Sequence, residues 1–263
     1  QVIPMYEEPD GTFPNHHPDP MKEANLADLK ATVRQSGADV GVAFDGDGDR
    51  LGIVDDQGQT VDPNRFLGIL AREQLPKHPG ARVVSEVKVS QVLIEEVERL
   101  GGQFVMTRVG YPFLLAAMKQ HEALFGGEMS GHYYFNDPDI DFDDATFAAA
   151  VLASTLSRQP EPLSALVGQL PAYPNTPELT VPCPDDHKFA VVEELRQEFA
   201  REHEVIDIDG ARVQFGDGWG VVRASNTEPR LTLRFEGYTE EALEAIKARF
   251  RSALQSKGIE ATF

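Results

Sequence analysis

Residues 40–54 read VGVAFDGDGDRLGIV, and their interpretation decides the fold class. Val40–Phe44 is a short unbroken apolar run, the pattern of a strand buried on both faces of a parallel sheet. Leu51–Val54 reads as a second strand, and Asp56-Gln57-Gly58-Gln59 as the turn that follows it. Between the strands stand three carboxylates, Asp45, Asp47 and Asp49, separated by single glycines and followed by Arg50. Three such charges repel one another unless a cation sits among them. The glycines let the backbone fold so that the carboxylates converge, and an all-oxygen site with few ligands suits Mg²⁺. A calcium EF-hand needs Gly at the sixth position and Glu at the twelfth, where this chain has Arg50 and Asp56, and a strand rather than a helix leads in.

Working outward, Asn64–Leu75 has helical spacing, and strands and helices then alternate. The strands are Arg82–Val87, Gln103–Thr107 and Ala123–Phe125; the helices are Ser90–Leu100, Pro112–His121 and Asp144–Leu156. This βαβα layout predicts a parallel sheet with helices on both sides and ligands beyond the carboxyl ends of its strands. The segment Gln1–Lys30, with five prolines, reads as extended chain leading into a short helix. A Pro-rich stretch, Pro171–Pro184, predicts a hinge. Beyond it lie a helix at Phe189–His203, strands at Ala211–Phe215, Gly220–Ala224 and Leu231–Phe235, and an amphipathic helix at Thr239–Ser256.

Composition narrows the partners. The 263 residues exceed one ordinary domain, and the 41% hydrophobic and 25% charged content is that of a soluble protein. The uncharged stretch Ala145–Ser157 has thirteen residues, short of the ~20 that cross a bilayer. Against 43 Asp and Glu stand 24 Lys and Arg, a net charge of −19 that disfavours nucleic acid and anionic membranes as partners. The single cysteine, Cys183, permits no intrachain disulfide and points to the cytoplasm.

Two further loops carry chemistry. Gly126-Gly127-Glu128-Met129-Ser130-Gly131-His132 frames a carboxylate, a hydroxyl and an imidazole with glycines, groups suited to sugar hydroxyls or to turn stabilisation. Arg223-Ala224-Ser225-Asn226-Thr227-Glu228-Pro229 places a guanidinium before short hydroxyl and amide side chains, the makings of a phosphate cradle or of an ordinary turn. Lys88 and Tyr111 stand at strand ends, where a ligand is expected. The seven histidines show no zinc-ligand spacing with Cys183.

FDGDGDR, GEMSGH and RASNTEP, in this order and spacing, resemble the α-D-phosphohexomutases, most closely the bacterial phosphomannomutase/phosphoglucomutase branch. The resemblance extends over FPNHHPDP, Glu86-Val87-Lys88, Val109-Gly110-Tyr111 and Gly218-Trp219-Gly220, and so over nearly the whole chain. It implies mixed α/β domains followed by a C-terminal TATA-binding-protein-like α+β domain. Residues 1–62 would end the second domain, 63–172 form the third and 173–263 the fourth, with Pro171–Pro184 as the hinge of an opening fourth domain.

The implied activity is an isomerase that interconverts hexose 1-phosphate and 6-phosphate. It proceeds through a phosphoserine and a hexose 1,6-bisphosphate, which also serves as activator. Asp45, Asp47 and Asp49 would bind Mg²⁺; Glu128 and Ser130 would hold ring hydroxyls. Arg223, Ser225, Asn226 and Thr227 would clamp the non-reacting phosphate, while Arg50, Lys88 and His132 line the centre where charge develops. Two departures follow. No serine is followed by His-Asn, so the family's phosphoserine loop is absent, and a complete enzyme needs about 200 further residues upstream, in the same or another chain. Tyr111 stands where members of that branch have histidine, offering a hydrogen bond to phosphate in place of proton transfer by an imidazole. The alternatives are a non-catalytic phosphosugar-binding protein and one half of a split mutase. GEMSGH favours the mannose/glucose branch over the phosphoglucosamine branch.

Overall fold

The structure, a computed structural model, describes residues 1–8, 10–137 and 142–263. Contacts divide the chain into two units, one comprising Gln1–Ser85, Val92–Val105 and Leu114–Pro171, the other Glu86–Gln91, Met106–Phe113 and Ala172–Phe263.

In the first unit, helix α1 (Ala27–Ser36) stops where Gly37 adopts φ 68° and returns its N–H to Val33 O. Strands β1 (Val40–Phe44), β2 (Leu51–Asp55) and β3 (Thr60–Val61) then form an antiparallel sheet in that order. Here the expectation of a parallel, doubly covered strand at Val40–Phe44 fails. Strand β1 pairs antiparallel with β2, only Gly41 in it is buried, and Phe44 is 40% exposed. An apolar run signals a strand but not the number of covered faces; α1 covers one face here, with Val33 and Leu29 filling the space above Gly41.

Helix α2 (Pro63–Gln74) opens with Asp62 as its cap, accepting the Asn64 N–H, and with proline in its first turn. Strand β4 (Arg82–Glu86), α3 (Gln91–Arg99), β5 (Gln103–Thr107), α4 (Tyr111–Gln120), β6 (Phe125–Gly127) and β7 (Tyr133–Phe135) follow. Their sheet runs β5-β4-β6-β7, with β4 and β6 parallel. Two corrections arise. The third strand is Phe125–Gly127 rather than Ala123–Phe125, and β7, which sequence periodicity missed, runs antiparallel to it. The two glycines concealed the strand; each lies against a neighbour that a methyl group would strike, Val84 O at 2.8 Å and Leu67 Cδ2 at 2.9 Å. Helices α5 (Ala145–Ser157), capped by Asp144, and α6 (Leu163–Gly168) complete the unit.

The C-terminal sheet has order β8-β12-β11-β10-β9, with every pair antiparallel. Its elements are β8 (Leu179–Pro182), α7 (Lys188–Phe199), β9 (Glu204–Ile206), β10 (Ala211–Gln214), β11 (Gly218–Ala224), β12 (Arg230–Gly237) and α8 (Glu240–Ser256). The boundary between the two units falls at Pro171–Ala172, at the start of the Pro-rich stretch; from there on Gly237 donates to Pro174 O, Thr176 to Phe235 O, and β8 pairs with β12. Proline is tolerated there because β8 is an edge strand. Alternate residues face α7 and α8, packing Val213, Val222, Leu233, Phe235, Leu243, Ile246 and Phe250 into one core. Among the described residues no helix is long and apolar enough to cross a membrane.

Phe250 is fully buried, with Phe199 and Phe235 ring centroids 4.7 and 5.1 Å away, and it packs where Gly220 leaves no side chain. Phe250→Ala is expected to cost about 3–5 kcal/mol, read as a lowered midpoint in urea unfolding.

Candidate functional site

Asp45 follows directly from β1, and Phe44 and Leu51 close the hairpin as a pair. Gly48 takes φ 78°, so the loop turns back sharply. The Asp45 carboxylate then organises it: Oδ1 accepts the N–H groups of Gly48, Asp49 and Arg50, each at 3.1 Å, and Oδ2 accepts Arg50 Nε–H at 2.6 Å. Burial alone would raise the Asp45 carboxyl, but the amide and guanidinium of Arg50 outweigh it and hold the pKa at about 2. Asp45, Asp47 and Asp49 each offer an oxygen within 4.8 Å of the others.

Asp49 differs from Asp45. Its Oδ1 is shielded from solvent and, among the described residues, has no hydrogen-bond partner. Burial, followed by the neighbouring Asp45, pushes its carboxyl pKa up. An orphaned carboxylate oxygen beside two further carboxylates is what a hard divalent cation would satisfy, so the donor set fits Mg²⁺.

The second loop meets the first through the backbone. Leu51 donates its N–H to Gly131 O at 2.9 Å, and Arg50 and His132 form an isolated antiparallel bridge. Gly131 adopts φ 89°, and Glu128 N–H to His132 O closes the turn between β6 and β7. His132 Nδ1 lies 2.7 Å from Ser130 Oγ and 3.3 Å from Glu128 Oε2, while Nε2 lies 3.6 Å from Asp49 Oδ1 and 3.9 Å from Asp143 Oδ2. Burial would lower the imidazole pKa; Glu128, Asp49 and Asp143 reverse this and raise it. Tyr134 donates to Glu128 Oε2 or Asp143 Oδ2, at 3.1 and 3.3 Å.

One cluster therefore gathers Asp45, Asp47, Asp49, Arg50, Glu128, Ser130 and His132. Lys88, Tyr111, Arg223, Ser225, Asn226 and Thr227 belong to the other unit. There Arg223 donates from Nε and Nη2 to Asp209 Oδ2 at 2.9 and 2.8 Å, and the same oxygen accepts the Val109 N–H at 3.0 Å. Ser225 Oγ accepts the N–H groups of Thr227 and Glu228, at 3.3 and 3.2 Å, which folds the loop between β11 and β12 and leaves Asn226 and Thr227 exposed. Lys88 Nζ pairs with Glu178 at 2.7 Å and lies within the field of Arg223. Burial would lower the Lys88 pKa, but Glu86 and Glu178 raise it. Tyr111 begins α4 and is 41% exposed.

Sequence reasoning missed Asp143, Tyr134, Asp209 and Glu178. These residues stand outside the glycine-framed motifs, and only proximity in the fold brings them to the loops; Asp209 before Gly210 was the one local hint, an Asp-Gly turn.

The comparisons agree along the chain. The description "Phosphoglucomutase/phosphomannomutase, alpha/beta/alpha domain II" matches residues 1–58, "alpha/beta/alpha domain III" residues 62–173 and "C-terminal domain" residues 178–253. A phosphomannomutase/phosphoglucomutase of Pseudomonas aeruginosa is 43% identical over 256 residues, covering 97% of this chain and 55% of the relative. A phosphoglucomutase of Neisseria gonorrhoeae is 43% identical over 259 residues, covering 97% and 56%. The crystal structure of a phosphoglucomutase/phosphomannomutase family protein from Burkholderia thailandensis superposes with TM-score 0.87 at 40% identity, covering 95% of this chain and 53% of that one. The chain thus spans about half the length of the relatives it matches. With its mixed α/β elements, matched domains and glycine-framed loops, the chain belongs to the α-D-phosphohexomutase family, in its phosphoglucomutase/phosphomannomutase group.

Proposed function

We propose that the chain supplies the metal-, sugar- and phosphate-binding loops of a phosphohexomutase that interconverts the 1- and 6-phosphates of glucose or mannose in the cytoplasm. The observation that carries this reading is the DGDGD hairpin, folded with three carboxylate oxygens within 4.8 Å and tied by backbone to the GEMSGH loop. The domain division that accompanies it is 1–62, 63–172 and 173–263.

Asp45, Asp47 and Asp49 would hold Mg²⁺. Bound there, the metal would neutralise charge on a transferring phosphoryl group. Arg50, fastened by Asp45, presents a guanidinium whose position is set before substrate arrives. Glu128 and Ser130 accept from and donate to ring hydroxyls, and His132, with its raised pKa, offers a proton or positive charge beside them. In the other unit Arg223 keeps Nη1 for a phosphate while Asp209 holds its other nitrogens; Ser225, Asn226 and Thr227 add short donors. Lys88 supplies a second cation, and Tyr111 a hydroxyl. The phosphoryl donor, a phosphoserine followed by His-Asn in the family, would come from another segment or chain, because none of these serines has that context.

The purified 263-residue chain is expected to bind glucose 1-phosphate weakly in calorimetry and to form no glucose 6-phosphate. Arg223→Met should weaken that binding by about tenfold or more. Absence of any phosphosugar binding would overturn the reading, and turnover by the chain alone would overturn the need for an outside serine.

Mn²⁺, as a paramagnetic substitute for Mg²⁺, should bind at one site by electron paramagnetic resonance, with affinity lost in the Asp47→Asn/Asp49→Asn double variant. Affinity should fall as the solution is acidified, because Asp49, whose pKa is raised, takes up a proton before Asp45, whose pKa is held at about 2. Equal Mn²⁺ binding by the double variant would move the metal elsewhere.

A further inference from the structure

The C-terminal sheet has two unlike faces. One is the apolar core under α7 and α8. The register sets the other: Arg212 stands opposite Val221, which stands opposite Arg234, and Trp219 stands opposite Glu236. Directly paired residues share a face, and period-two alternation puts Trp219, Val221 and Arg223 together on β11. This face therefore carries Arg212, Trp219, Arg223, Arg234 and Glu236. Arg212 and Glu236 are 0% exposed, and Arg234 only 2%.

Two buried guanidiniums on one sheet face are costly, since each loses several kcal/mol of hydration unless its donors are used. Three of their hydrogen bonds go to a single short segment, while Arg212 Nε and Nη2 have no partner among the described residues. Arg212 Nη1 donates to Val87 O at 2.7 Å and to Val89 O at 2.8 Å. Arg234 Nη1 donates to the carbonyl between them, that of Lys88, and Nε donates to Thr176 O at 3.3 Å. Three successive carbonyls beside Lys88 are thus taken by two guanidiniums. The Trp219 ring supports both cations, with its centroid 3.8 Å from Arg212 Cζ and 5.8 Å from Arg234 Cζ. Glu236 Oε1 accepts Trp219 Nε1–H at 2.9 Å and Gln91 N–H at 2.8 Å, so the far end of the segment is fastened too. Burial pushes the Arg212 pKa down to about 9, with Glu236 the chief opposing influence, and the group stays charged at neutral pH.

A structural purpose alone does not require this chemistry, because well-packed apolar residues stabilise a buried site about as well as buried charges do. The rigid fork of arginine does what apolar groups cannot: it fixes the carbonyls of an irregular segment in place. We propose that Arg212 and Arg234 are positioning residues for Lys88. By clamping residues 87–89 they hold the lysine ammonium beside Glu178 and Arg223 instead of releasing it to solvent. The placement of Lys88 stands on these contacts alone; its consequence for phosphosugar affinity rests on the function proposed above.

The test uses the full 263-residue chain with Arg234→Lys and Arg212→Lys, which keep the charge and remove the fork, and circular dichroism to confirm folding. Trace-label reductive methylation, read residue by residue by mass spectrometry, compares Lys88 with the exposed Lys22. In each folded variant, Lys88 labelling should accelerate by about tenfold, the factor that follows from losing one charged hydrogen bond, with Lys22 unchanged. Calorimetry with glucose 1-phosphate should show weaker binding to the same variants, and Lys88→Met should weaken it as well. Unchanged Lys88 labelling in a folded variant overturns the proposal, as does equal acceleration at Lys22, which marks general loosening. If Arg212→Lys does not fold, the Arg234→Lys result decides. Accelerated labelling with unaltered binding in Lys88→Met supports the clamp and overturns only the part assigned to Lys88 in phosphosugar binding.

Discussion

The carboxylate of Asp45 is the constraint on which the first candidate cluster depends. Three loop amides converge on one of its oxygens and the Arg50 side chain on the other, so the loop has one conformation and not many. A loop of three acidic residues would otherwise spread apart under its own repulsion. With the loop held by Asp45, oxygens of Asp45, Asp47 and Asp49 stay within 4.8 Å of one another, and the ordered hairpin offers Leu51 N–H to Gly131 O. That bond is what places Glu128, Ser130 and His132 next to the acidic loop.

The second unit solves a similar problem with the opposite sign of charge. Four of its cationic groups are Lys88, Arg212, Arg223 and Arg234, and the three arginines among them are buried, in a chain whose net charge is −19. Each is held by a specific partner: Glu178 for Lys88, Asp209 for Arg223, backbone carbonyls for Arg212 and Arg234. Such pairing turns costly desolvation into fixed geometry. Asp209 adds a link, since the oxygen that orients Arg223 also accepts the amide of Val109 in the loop before Tyr111.

Much of the fold was legible from periodicity. The strand at Gln103–Thr107 and the helices near Asn64–Leu75 and Thr239–Ser256 come from strong local patterns that their neighbours reinforce. The misreadings share one cause, which is that local sequence does not report what lies across a strand. VGVAF looked doubly buried because it is apolar, yet its pairing is antiparallel and Phe44 is half exposed. Gly126 and Gly127 looked like loop because glycine has low strand propensity, yet Val84 O and Leu67 press against them and demand glycine within β6.

By itself, the sequence determined most of the helices and strands and the chemical character of three loops, because glycine spacing, charge alternation and strand ends act over a few residues. It also carried the family resemblance, since motifs in fixed order do not require coordinates. Only the tertiary structure decided which of these groups are satisfied within the fold and which are left without a partner. Asp45 and Asp49 are two carboxylates four residues apart in one motif, yet hydrogen bonds satisfy one and leave an oxygen of the other orphaned. Arg212 and Arg223 are two arginines of neighbouring strands, yet one is sealed against carbonyls and the other is held by a carboxylate beside a loop of exposed donors. The physical reason is that burial and hydrogen-bond satisfaction are properties of surroundings assembled from distant parts of the chain, which no local pattern encodes.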